Sequence, residues 1–208
     1  MTRLQNSELC MTRAALAFKP RTGRAVLVMV GGELHEPHVI ERSEIPLLPE
    51  GEFAPYHAAE ELEREAASTH VRESIARAQQ LATGAVRSAA KRCTEAGYNL
   101  CGCAVLVGSG MPDWTTEQIL AVHVRMHKAE GELFRDVLVR GVRTCGIELT
   151  TLPDKTAIDA AAKKLGLTRA RLDADLTALG KTVGPPWGKY QKEAAAAALV
   201  VLKHAKGQ

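Results

Sequence analysis

The sequence has no apolar stretch that approaches the roughly 20 residues needed to span a membrane as a helix. Its first ten residues, Met1 to Cys10, are polar and carry no apolar signal core. Together these absences make the cytoplasm the expected compartment and exclude a membrane partner. No long Ser/Gly/Pro-rich linker interrupts the chain, so one domain over residues 1–208 is expected, with a short polar tail at 1–10. A dense basic stripe is also missing. The 27 Lys and Arg against 24 Asp and Glu leave a net charge of +3, which permits contact with nucleic acid without demanding it. The five cysteines, Cys10, Cys93, Cys101, Cys103 and Cys145, are odd in number and form no disulfide framework. Cys101 and Cys103 flank a glycine and would share a face if extended. No second cysteine pair completes a metal site, so they read as buried thiols.

What remains is ordinary globular composition, 46% hydrophobic and 25% charged. Ala14 to Phe18 and Arg24 to Val30 are apolar runs joined by Lys19-Pro20-Arg21-Thr22-Gly23, which reads as a hairpin. His38 to Leu47 is a third strand. Tyr56 to Ala96 is rich in helix formers, with an apolar stripe through Leu62, Ala66, Val71, Ile75, Ala78, Leu81 and Ala85. One straight helix of that length would run about 60 Å. A domain of this size has a radius of gyration of about 17 Å. A break near Ser68-Thr69 or Thr83-Gly84, or an overhang, is therefore expected. Cys101 to Val107 is a fourth strand, Thr116 to Arg143 a second long helix, and Ile147 to Leu152 a fifth strand. Asp154 to Leu165, Thr168 to Leu179 and Lys189 to Ala205 complete the chain as helices. The order β-β-β-α-β-α-β-α implies a mixed α/β sheet of five strands with helices on its faces.

That order is the ribonuclease-H-like order, and the local text resembles the RuvC-type Holliday junction resolvases. Ala17-Phe18-Lys19-Pro20-Arg21-Thr22-Gly23-Arg24 is similar to their first strand and turn, and Gly102 to Val107 to their fourth strand. Glu148 to Pro153, Val183-Gly184 and the Ala-rich end are similar to their ending. The resemblance implies two-metal phosphodiester hydrolysis, in which clustered carboxylates hold two divalent cations about 4 Å apart. The carboxylate positions depart from that pattern. The first strand has Lys19 where the family has Asp. The fourth strand, Ala104-Val105-Leu106-Val107-Gly108, carries no Glu. The last helix offers Glu193, flanked by Lys189 and Lys192. The expectation is a diverged ribonuclease-H-like domain without the usual metal chemistry.

The densest cluster of chemically capable residues is His123 to Arg135. Spacings of four and three put His123, His127 and Glu130 on one helical stripe, bordering the apolar positions Ile119, Val122, Met126, Leu133 and Val137. Phe134 and Leu138 continue the stripe, which makes it at least partly buried. Three readings stay open: a helix flank where Glu130 bonds a histidine, a polar cluster for proton transfer, and a metal site at His123, His127 and Glu130. His57 opens the preceding helical region and is the next partner to consider. His57 and Glu60 are expected to approach Trp114 and Trp187. Lys19, Arg21, Trp187, Lys189 and Lys192 are the candidate ligand-binding residues, since helix starts attract anions. Lysines that are solvated surface and a Trp187 that caps the core are the alternatives.

The preferred function is binding of nucleic acid or a partner. The alternative is a hydrolase or nuclease built on His57, His127 and Glu130, with Glu193 as a further catalytic candidate. A homo-oligomeric scaffold with the long first helix as its interface is the third possibility. The sequence identifies no cofactor.

Overall fold

The computed structural model describes residues 11–205, so the expected polar tail at 1–10 and Cys10 lie outside the described residues. Five strands form one sheet in the order β3-β2-β1-β4-β5. They are β1 (Arg13–Arg21), β2 (Arg24–Glu33), β3 (Glu36–Pro46), β4 (Asn99–Val107) and β5 (Leu149–Pro153). β2 runs antiparallel to β1 and β3, while β1, β4 and β5 run parallel. The expected five-stranded mixed sheet and element order are therefore present. Arg21 pairs with Arg24 across a turn of two residues. Gly23 makes that turn with φ 71°, and a Cβ there would lie 2.6 Å from Phe53 Cβ.

The inner strands read as continuous apolar runs because helices cover both faces. Leu16, Phe18, Leu27, Met29 and Val105 pack against α2 (Arg64–Glu95) and α4 (His123–Thr144). Ala15, Ala17, Val26, Val28 and Leu106 pack against α5 (Ala157–Leu165), α6 (Arg169–Lys181) and α7 (Lys189–His204). The run Ala194 to Ala198 is wholly buried. Side chains that small let α7 seat close to the sheet.

Three expectations need correction. The break foreseen at Ser68-Thr69 or Thr83-Gly84 does not occur. A short helix α1 (Pro55–Ala58) precedes the break instead, and α2 then runs unbroken for 32 residues, about 48 Å. One helical glycine costs only about 1 kcal/mol, and the buried row Ala67, Val71, Ala78, Ala82, Val86 and Ala89 outweighs it.

The helix expected over Thr116 to Arg143 is two helices, α3 (Thr116–Leu120) and α4. Val122 breaks it with extended backbone, φ −144° and ψ 111°, and is exposed rather than in the apolar stripe.

Cys101 and Cys103 face opposite layers of the sheet. The pairing of β1 with β4 steps from Ala14–Leu100 to Ala15–Gly102, so Cys101 is the extra residue of an irregularity. One inserted residue reverses the facing that alternation predicts. Burial raises the Cys93 thiol to about 11, with the nearby Cys101 adding to the effect.

Candidate functional site

The carboxyl ends of β1, β4 and β5 converge on a group of buried and half-buried charges. Lys19, near the end of β1, is 7% exposed. Its ammonium donates to Asp154, in the 3-10 turn Asp154–Thr156 that follows β5, and lies 3.1 Å from Glu193 Oε2 on α7. Arg135 of α4 donates to the other oxygen of Asp154 at 2.9 Å and lies 3.6 Å from Glu132. Glu132 is buried against Gly108 at the end of β4, where a Cβ would come within 2.3 Å of its Oε1. Lys128 lies 3.7 Å from Glu132 and donates to Ser109 at 2.9 Å. Three carboxylates and three cations thus alternate across the sheet end. Burial alone would raise the Asp154 carboxyl, but the hydrogen bonds from Lys19 and Arg135 outweigh it and hold it below the usual range.

Sequence reasoning found Lys19 and Glu193 but missed Asp154, Glu132 and Arg135. Glu193, the carboxylate that the last helix offers, is thus joined at the sheet end by Asp154 and Glu132. Asp154 directly follows the Pro153 that ends β5, and that adjacency was the available signal. Glu132 and Arg135 come from α4 and carry no such mark. A cleft of about 400 Å³ opens beside these charges, lined by Gly108, Ser109, His127, Lys128, Glu132, Arg135 and Asp154, among others.

Outside the buried group, Arg21 places its guanidinium 4.5 Å from the centre of the Tyr190 ring. Lys19, Arg21, Arg24 and Tyr190 help to line an open groove of about 340 Å³. Lys189, largely exposed, lies 3.8 Å from Glu193, and Lys192 donates to the Thr177 hydroxyl. Trp187 is placed differently: its Nε1 donates to the carbonyl of Leu176 at 2.8 Å, and its ring lies over Gly180. It packs with the layer of α5 to α7, whereas Trp114 packs in the opposite layer, where Arg125 lies 4.9 Å from its ring. Trp187 thus lies in the layer opposite α1 and does not make the expected approach to His57 and Glu60.

The second group lies where α1 meets the start of α4. Because α4 starts afresh at His123, its first two turns carry His123 and His127 one above the other, with their Nε2 atoms 3.1 Å apart. His57 from α1 joins them, its ring centre 5.1 Å from that of His123 and 4.5 Å from that of His127. Glu130 does not partner His127, the nearer residue in sequence. It is 4% exposed and turns to α1, where one oxygen accepts from the His57 backbone N–H at 3.2 Å and lies 2.9 Å from His57 Nδ1. The latter contact is ionic in distance but out of line for a hydrogen bond, and both His57 ring nitrogens are closed to solvent. Glu130, Phe134 and Leu138 are buried while His123 and His127 are exposed, so the stripe enters the core along its length. Burial raises the neighbouring Tyr56 phenol, helped by the charges of Glu130 and Asp136.

No protein-family model matches the chain, and no curated protein matches it in sequence. Among solved structures it is similar to RuvC of Thermus thermophilus, with TM-score 0.50 and 10% identity over 94% of this chain and 97% of that one. Thermus thermophilus RuvC in complex with Holliday junction substrate gives TM-score 0.49 and 11% identity over 94% and 96%. At such identity the likeness is one of fold: the chain has the ribonuclease-H-like fold of RuvC. Among the described residues, no helix is long and apolar enough to cross a membrane.

Proposed function

We propose that this chain is a diverged ribonuclease-H-like domain that binds nucleic acid at the carboxyl end of its sheet and does not use two-metal cleavage chemistry. The observation that carries the reading is Lys19, whose ammonium lies between Asp154 and Glu193. A two-metal centre needs carboxylate oxygens that converge on divalent cations. Here both Asp154 oxygens accept from Lys19 and Arg135, while Glu193 and Glu132 lie within ion-pair distance of Lys19 and Arg135. Among the described residues, Asp154, Glu132 and Glu193 do not form a group close enough to share an ion. The residues present do not suit a pair of divalent cations, and no catalytic step is assigned to such a pair.

Binding is supported by what surrounds the neutralised centre. Arg24, Lys155 and Lys189 are exposed at this end. Arg21 and Tyr190 form a stacked cation–ring pair beside them. Exposed cations contact phosphates whatever the base sequence, and an exposed ring can stack on a base. The direct test is fluorescence anisotropy with duplex DNA, branched DNA and single-stranded RNA at salt between about 50 and 200 mM. The expected result is affinity that falls linearly on a log–log plot as salt rises. Absence of binding at the lowest salt refutes the reading and favours a scaffold assembled through α2.

A second reading, hydrolysis at His57, His127 and Glu130, is favoured by one observation: residues from two elements far apart in sequence meet beside the 400 Å³ cleft, and His127 belongs to both. A screen against phosphodiester and acyl ester substrates tests it, with His127→Ala as the control that must lose any activity found.

A further inference from the structure

Beyond that reading, the histidine group has the geometry of a metal site. We infer that His57, His123 and His127 bind one transition-metal dication of the zinc class, with Glu130 as the carboxylate that orients His57. One ligand atom from each histidine lies within 4.8 Å of the other two. His123 and His127 are four residues apart on α4, the helical spacing that presents two imidazoles to one ion. Their Nε2 atoms stand 3.1 Å apart. Two ligands of a tetrahedral zinc, each about 2.0–2.1 Å from the metal, are separated by about 3.3 Å. The pair therefore already has nearly the spacing that a shared ion imposes. The third imidazole comes from a different element, as a rigid site requires, and α1 is held to α4 by the bond from the His57 backbone to Glu130.

The donor set selects the metal. Three imidazole nitrogens suit zinc, copper or nickel, whereas magnesium and calcium take oxygen. Glu130 completes the arrangement. Its oxygen lies 2.9 Å from His57 Nδ1, which leaves Nε2 of that ring as the coordinating atom. A carboxylate behind a histidine ligand fixes the ring and raises its basicity. Both nitrogens of His57 are shut from solvent without a hydrogen bond. Coordination through Nε2 supplies the missing partner on one side, and a small rotation towards Glu130 supplies it on the other. A helix flank held together by hydrogen bonding alone gives no reason for three imidazoles to meet edge to face or tilted within about 5 Å of one another.

Three protein ligands leave a fourth position, which water or an oxyanion fills in zinc sites of this kind. His123 and His127 are exposed, and His127 also lines the cleft with Ser109 and Lys128. The open position therefore faces solvent at the cleft mouth, within the neighbourhood of a cation that favours an anionic fourth ligand.

The test is isothermal titration of the untagged full chain with zinc, after stripping with a chelator and dialysis, beside His123→Ala, His127→Ala and Glu130→Gln. Both histidines are exposed, and circular dichroism verifies that their variants keep the fold. The expected result is one zinc per chain, an affinity loss of about 10–100-fold for Glu130→Gln, and a larger loss for either histidine variant. Cobalt(II) in place of zinc should give the visible absorption of a four-coordinate site, lost in both histidine variants. Magnesium should not compete. Zinc binding that is absent in the parent chain, or equal in the parent and in the His123→Ala/His127→Ala double variant, overturns the inference. Either outcome leaves the nucleic-acid reading untouched, since that rests on the cations around Lys19 and Arg21 and on salt dependence, not on the histidines.

Discussion

The ammonium of Lys19 lies 3.1 Å from a carboxylate oxygen of Glu193, so the first strand and the last helix are joined by a buried ion pair. Lys19 has a second partner in Asp154, which Arg135 also holds. Removing the lysine therefore affects the two acids unequally. Asp154 keeps Arg135, while Glu193 keeps, among the described residues, the exposed Lys189 at 3.8 Å. Lys19→Met should destabilise the chain by about 3 kcal/mol, the cost of leaving a buried charge uncompensated. The double variant Lys19→Met/Glu193→Leu should recover most of that loss. Urea denaturation of the parent and both variants measures it.

Asp154 should contribute to the acid limb of stability. Its carboxyl is held below the unfolded value of about 3.9. The unfolded chain therefore binds a proton first as pH falls. The contribution of Asp154 is present above the unfolded value and is lost as pH drops through the lower folded value. Asp154→Asn should lower stability at neutral pH and flatten its decline below about pH 4. Urea midpoints for parent and variant across the acid range give the comparison.

Gly180 tests the placement of Trp187. A Cβ there would stand 2.0 Å from the indole ring, which must move and lose its bond to the Leu176 carbonyl. Gly180→Ala should cost about 1–3 kcal/mol, as overpacking does, with a red shift of tryptophan fluorescence. An unshifted spectrum and unchanged stability would mean that the ring is not seated there.

Lys189 is the exposed cation nearest the buried charges on α7. If it meets a phosphate, Lys189→Ala should weaken binding to all sequences alike and reduce the salt slope by about one unit. Anisotropy titrations at several salt concentrations read both effects.

The strand–helix order was legible because β1 and β2 are unbroken apolar runs and the turn at Gly23 is marked by its glycine. Three features were hidden by tertiary effects. The irregularity at Cys101 inserts one residue into the pairing and changes which layer each cysteine meets. The break at Val122 sits in a segment with good helix formers on both sides, yet it is what presents His123 at a new helix start. Glu132 and Arg135 lie on the helix with the histidines but turn to the sheet end, a direction that periodicity alone does not assign. The stripe of His123, His127 and Glu130 was legible from spacing, whereas His57 was offered as the next partner to consider. That Glu130 would bond His57 rather than His127 depends on how α1 docks, and sequence distance pointed the other way.

The sheet end is proposed to bind nucleic acid without two-metal cleavage. One gel measures both halves: chelator-stripped protein is incubated with labelled four-way-junction DNA and magnesium, then run under native and denaturing conditions. The prediction is a salt-sensitive shift of the junction in the native lanes and full-length strands in the denaturing lanes. Magnesium-dependent cleavage that disappears with Glu193→Ala would contradict it, because a carboxylate paired to Lys19 would then be holding a catalytic cation.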